Sequence, residues 1–158
     1  DVKEKLLAGY SAAGKNFKVH LDGYNMLPLL TGQTTKDPRE EFFYINDDAQ
    51  VVAVRYVNWQ VVFMEQRAKG TMGIWAEPFV TLRAPKIFNL RTDPYEMADV
   101  TSNTYWDWIF DHGFIYVPTQ AVVGKFLMSF KDFPPRQKPG SFNLDEVMRK
   151  IQESGGSR

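Results

Sequence analysis

Cysteine is missing from all 158 residues, which excludes disulfides, thiolate nucleophiles and thiolate metal ligands within the chain. That absence assigns no compartment. Histidine is scarce: His20 and His112 lie far apart, with no His or carboxylate partner at ligand spacing, so both read as structural histidines rather than as a metal site. An excess of one charge is lacking too. Nineteen basic and 19 acidic residues cancel, which leaves no electrostatic case for nucleic acid or an anionic membrane surface as a partner. No apolar run approaches the roughly 20 residues of a membrane span, and the first residues carry no signal-peptide apolar core. No Gly-x-Ser-x-Gly elbow, phosphate-binding loop or dinucleotide glycine fingerprint occurs. The chain starts at Asp1 without a Met and reads as a piece of something longer.

Aromatics are abundant instead, at 15% with four Trp and 12 Phe. They imply a thick core or a surface that packs against something outside the chain. The length suits one domain. Asp1 to Ala8 reads as an opening helix capped by Asp1 and stopped at Gly9. Phe17 to Leu21 alternates like an edge strand, and Tyr24 to Leu30 is too apolar to lie exposed. Phe42 to Ile45, Gln50 to Tyr56 and Trp59 to Glu65 read as three antiparallel strands joined at Asn46–Ala49 and Val57–Asn58, with Val52, Val54, Trp59, Val61 and Phe63 on one face. Residues 66–85 read as a long insertion with a short extra strand at Phe79–Leu82, and Lys86 to Leu90 as the fourth main strand.

Asp93-Pro94-Tyr95-Glu96 then reads as a helix start, with Asp93 at the N-cap, Pro94 at N1 and Glu96 reaching back from N3. Three helices follow. Trp106, Ile109, Phe110 and Gly113 mark the first, capped by Asn103 and stopped by the Gly. Val123, Phe126, Leu127, Phe130 and Phe133 mark the second, with Pro118 at N1. An Asn143/Glu146 capping box opens the third, whose apolar residues are Leu144, Val147, Met148 and Ile151. The expected fold is α+β: a four-stranded antiparallel sheet packed with carboxyl-terminal helices.

Candidates for chemistry are few. Asp47-Asp48 is the one carboxylate pair that invites a cation, but Asn and Asp are ordinary turn residues between strands. Lys15, Lys18 and Lys69 are isolated lysines of the kind that solvate. No catalytic, cofactor-binding or metal residue is assigned. A soluble α+β domain without a self-contained active site is the reading from the residues alone.

Several pieces, in order, resemble the carboxyl-terminal part of bacterial arylsulfatases, within the alkaline-phosphatase-like superfamily. His20 to Gly32 is similar to that family's Asp-Gly…Leu-Leu-Pro-Leu-Leu-x-Gly segment. Phe43-Tyr44 through Ala53-Val54-Arg55…Trp59 resembles its hairpin, with Val57 where Gly or a polar residue is common. Ile87 to Glu96 resembles its Leu-Tyr-Asn-Leu…Asp-Pro-x-Glu junction, and Phe133 to Leu144 the tail of one branch. The resemblance implies a non-catalytic part of an enzyme that hydrolyses sulfate esters. It also implies an amino-terminal catalytic domain as the partner in the same chain, holding calcium and a formylglycine made in a Cys/Ser-x-Pro-x-Arg motif that this sequence lacks. On this reading residues 1–33 are a tether from the catalytic domain, 34–153 the carboxyl-terminal domain and 154–158 a disordered tail. An isolated piece is expected to expose the tether or to dimerise through it, and the family implies a periplasmic or secreted location. The alternative is a non-enzymatic interaction or ligand-binding module of similar architecture.

Overall fold

The row Phe43, Val54, Val61 and Ile87 runs across four neighbouring strands, and the register pairs each residue with the next. In this computed structural model, which describes residues 1–155 other than 69 and 137, those strands are β3 (Glu41–Ile45), β4 (Val51–Tyr56), β5 (Trp59–Gln66) and β6 (Phe79–Asn89). They lie in that order in one antiparallel sheet. Alternation puts the row on one face, and Val54, Val61 and Ile87 are fully buried there. With the helices alongside, this is the expected α+β fold.

Helix α5 (Tyr116–Asp132) covers that face. Val122 and Val123 join the core, and the Phe126 ring stacks on Phe43 at 3.9 Å. Helix α4 (Tyr105–Asp111) brings Trp108 to 6.1 Å from Trp59, whose other neighbour is the His112 ring at 5.7 Å. β6 is an outer strand, and its bare backbone is met by side chains of these helices. The Tyr105 hydroxyl bonds both backbone groups of Ile87, and the Tyr116 hydroxyl donates to the Pro85 carbonyl at 2.7 Å. Pro85 is tolerated on such an outer strand, where a missing amide need break no ladder bond.

Several local expectations are corrected. Helix α1 (Val2–Ala8) forms with Asp1 accepting from the Lys3 amide, but Phe17 to Leu21 is not a strand. Ala13 and Gly14 both take positive φ and fold β1 (Tyr10–Ala12) onto β2 (Lys15–Phe17) as a separate two-stranded hairpin that ends at Phe17. Within 66–85, a 3-10 turn spans Met72–Trp75. The expected extra strand is the first half of β6, set off from the second half only by a register shift opposite Val62 and Met64. The Tyr24 to Leu30 segment makes a four-residue helix, α2 (Leu27–Leu30), whose Leu27 and Leu30 are exposed.

The Asp93 junction is capped but shifted. Asp93-Pro94-Tyr95-Glu96 is a turn closed by Glu96 N–H to Asp93 O, with Glu96 at φ 55. The Asp93 carboxylate accepts instead from the amides of Met97 and Ala98, so the helix it serves is α3 (Ala98–Thr101). Glu96, turned by its left-handed backbone, reaches Gln60 and not the cap amide.

In α4 the buried residues are Tyr105 and Ile109, while Trp106 and Phe110 face outward. Thr104 precedes the helix in place of Asn103, with no side-chain cap, and Gly113 opens a 3-10 turn (Gly113–Ile115) that leads straight into α5. α5 starts at Tyr116, ahead of Pro118, and Leu127 is exposed. Asn143 caps α6 (Leu144–Gly155) through the Asp145 amide. The Glu146 side chain of the capping box lies outside the described residues. α6 runs two residues into the segment read as tail, and residues 156–158 lie outside the described ones.

Candidate functional site

On the sheet face opposite α5, alternation presents Phe42 and Tyr44 from β3 and Arg55 from β4, with Phe42 paired to Arg55. The two rings meet edge-on at 4.9 Å. Just before β3 the chain turns at Asp37-Pro38-Arg39, where an Asp37 oxygen accepts from the Arg39 amide at 2.9 Å. This sets the Arg39 guanidinium 5.1 Å from the Tyr24 ring centre and 5.5 Å from that of Phe42. A cleft of about 300 Å³ is lined there by three acids, Asp37, Glu40 and Glu41, together with Arg39, Arg55, Phe42, Tyr44 and Val57. A second hollow shares Arg39, Arg55 and Val57 and extends to Lys36, Asn58 and Arg91.

The turn at the rim is strained. Val57 has φ 55, and positive φ at the first central residue alone is the pattern of a type II′ hairpin, which calls for Gly. A β-branched side chain in the left-handed region is a marked outlier. The position is held by the Val57 amide donating to the Glu40 carbonyl at 2.8 Å.

Two polar networks lie nearby in the fold. Lys86 is gripped by Glu65 at 2.6 Å and Asp99 at 2.7 Å. Burial alone would lower its pKa, but the hydrogen bonds to Asp99 and Glu65 outweigh this and leave it raised. Glu96 accepts from Gln60 at 2.8 Å, and burial, aided by the charges of Asp93 and Asp99, raises its carboxyl. Neither network holds a nucleophile beside a base, and each ties the 93–99 segment to the sheet.

The residues singled out in the sequence do not converge. His112 donates through Nδ1 to the Trp108 carbonyl at 2.7 Å and stacks on that indole at 4.2 Å. His20 does have a carboxylate partner, Asp22 at 3.0 Å, but the pair is exposed and has no third ligand among the described residues. Asp47-Asp48 is the expected turn. Asp48 accepts from the Ser141 amide at 2.7 Å and from its hydroxyl at 2.5 Å, and Gly140 N–H reaches the Asp47 carbonyl at 3.1 Å. The two Ser141 bonds, the hydroxyl's first, hold the Asp48 carboxyl below its usual range. Lys15 and Lys18 are exposed, and Lys69 lies outside the described residues. Among the described residues no group of three or more His, Cys, Asp or Glu side chains is placed to hold a metal. The sequence has no Cys from which a formylglycine could be made. Arg39 and Arg55 were missed from sequence; the one available signal was Arg55 falling on the outward register of an otherwise apolar strand.

A family model described as the C-terminal region of aryl-sulfatase matches residues 37–135. The chain belongs to this family. In this arylsulfatase C-terminal region the matched span starts at the Asp37 turn of the cleft, takes in the whole meander, the Asp93 junction and α5, and ends at Pro135. The β1–β2 hairpin, α2 and α6 fall outside it. No curated protein matches the chain.

Proposed function

We propose that this chain is the non-catalytic carboxyl-terminal part of an arylsulfatase that hydrolyses sulfate esters. Its work is to buttress an amino-terminal catalytic domain of the same polypeptide, which carries the calcium and the formylglycine and acts in the periplasm or outside the cell. The observation that carries this reading is a residue inventory: a member of this family with no Cys and no Ser-x-Pro-x-Arg sequence has nothing from which the aldehyde-hydrate nucleophile can be made. The exposure of Met26, Leu27 and Leu30 supports residues 1–33 as the tether, since apolar side chains outside the sheet gain by being covered. The outward Trp106 and Phe110 of α4, Phe114 of the 3-10 turn and Val117 of α5 supply further apolar surface for the same contact.

The test is hydrolysis of a chromogenic aryl sulfate by the purified chain beside the full-length protein, each with and without calcium. The full-length protein turns the ester over and the chain does not. Metal-dependent turnover by the chain alone overturns the assignment.

A further inference from the structure

The turn that joins β5 to β6 is held in shape by its own bonds. Gln66, the last residue of β5, donates through Nε2 to the Ile74 carbonyl at 2.6 Å and to the carbonyl of Glu77. The Thr71 hydroxyl accepts from the Gly73 amide at 3.4 Å, and the amides of Ala76 and Glu77 donate to the Gly73 carbonyl at 3.1 and 3.0 Å. Thr71 itself sits at φ 64 and ψ −177, a region that only Gly enters readily, and backbone strain of this kind is retained where a site needs a particular geometry.

The knob so fixed has nothing in the chain to receive it. No described residue between β5 and β6 is buried. Met72 and Trp75 are each 79% exposed and Ile74 43%, and none of the three packs in the core.

Charge and size decide what can cover the knob. Residues 70–76 are uncharged, so the tip has no base with which to hold an anionic lipid surface. The three side chains offer about 400 Å², against the roughly 800 Å² that each partner of a free-standing complex gives up. A second copy of the chain or a separate protein is held too weakly by so small a patch. A domain joined to this one by the polypeptide itself is not under that limit, because the linkage keeps the two at about millimolar effective concentration. The tip also lies inside the span matched to the C-terminal region of aryl-sulfatase, unlike the exposed apolar residues of α2 and α6.

We propose that the β5–β6 turn is the anchor by which this domain grips the amino-terminal catalytic domain of the same polypeptide, with Trp75 at the buried centre of the contact and Met72 and Ile74 around it. The receiving pocket is apolar and uncharged, with one acceptor for the indole N–H. The inference rests on the reading of the chain as the carboxyl-terminal part of an arylsulfatase.

Hydroxyl-radical footprinting of the full-length protein, read by mass spectrometry, tests it against the urea-unfolded protein as the exposed reference. Met72 and Trp75 are labelled about tenfold more slowly in the folded protein. Labelling within about twofold of the unfolded rate, as their exposure in this chain implies, overturns the proposal. Protection that fades on dilution, the sign of a second copy, overturns it too. W75A lowers the thermal midpoint of the full-length protein by about 4 °C or more and leaves that of the chain alone unchanged, while W75F recovers most of the loss. Equal shifts in the chain and the full-length protein, or none in either, overturn the role given to Trp75. A full-length protein that leaves a chromogenic aryl sulfate intact refutes the arylsulfatase reading instead, and footprinting of the same sample still reports whether the tip is covered.

Discussion

The Tyr105 hydroxyl takes both backbone groups of Ile87, accepting from the amide at 3.2 Å and donating to the carbonyl at 2.9 Å. A side chain of α4 thus does for the outer strand what a fifth strand would do, closing a backbone edge that would otherwise invite pairing with another chain. Because Ile87 is fully buried at the centre of the core, water cannot replace the hydroxyl.

Tyr105→Phe should therefore cost about 2–4 kcal/mol, since one change strands a buried donor and a buried acceptor. Tyr116→Phe, which releases only the part-buried Pro85 carbonyl, should cost about 1 kcal/mol. Urea unfolding of the two variants beside the parent measures both. Equal losses would mean that the edge of β6 is not what Tyr105 protects.

Alkaline pH should act on the same tyrosines. Burial raises the phenol pKa of Tyr105 strongly and that of Tyr116 and Tyr24 less, with the Glu41 charge adding to Tyr24. The folded state keeps protons that the unfolded chain, with an ordinary phenol near pH 10, gives up. Stability from this source is whole below about pH 10 and declines as pH rises toward the folded values. Urea midpoints measured from about pH 8 to pH 11 should fall, and less steeply in Tyr105→Phe. A parallel fall in parent and variant refutes the assignment to Tyr105.

Val57→Gly should stabilise the chain by about 1 kcal/mol. Removing the side chain relieves the left-handed strain, worth about 1–2 kcal/mol, and the greater freedom of Gly in the unfolded chain cancels part of the gain. Little packing is lost, as Val57 is half exposed. Thermal melting decides the sign; a lowered midpoint would show that the Val57 side chain contributes more than its backbone costs.

Ser141→Ala should free the segment before α6 from the Asn46–Ala49 turn while leaving the sheet intact. Hydrogen exchange should quicken over residues 138–147 and stay unchanged in β4 and β5. The same loosening should come with acid in the parent: the Asp48 carboxyl is held below its usual value, so its contribution is present above the ordinary carboxylate range near pH 4 and fades as pH falls through the folded value. Exchange that is indifferent to both changes would remove the Asp48–Ser141 tie as the anchor.

Where periodicity is unambiguous, the chain can be read without coordinates. The period-two alternation of Val52, Val54, Trp59, Val61 and Phe63, punctuated by Asn46–Ala49 and Val57–Asn58, determines the meander and its buried face, because slipping one residue would turn every one of those side chains to the other side. Helix α4 is different, since Trp106 and Phe110 make as good an apolar stripe as Tyr105 and Ile109. Only the bare edge of β6 chooses, by offering Ile87 to a hydroxyl that Trp106 lacks. The same holds for Asp93, whose carboxylate would cap any nearby amides, and which the left-handed Glu96 hands to Met97 and Ala98. The arginine cleft is beyond local reading altogether. Its parts come from residues 37–44, Arg55 of β4 and Val57 of the β4–β5 turn, and strand pairing is what brings these separated stretches of chain to one place.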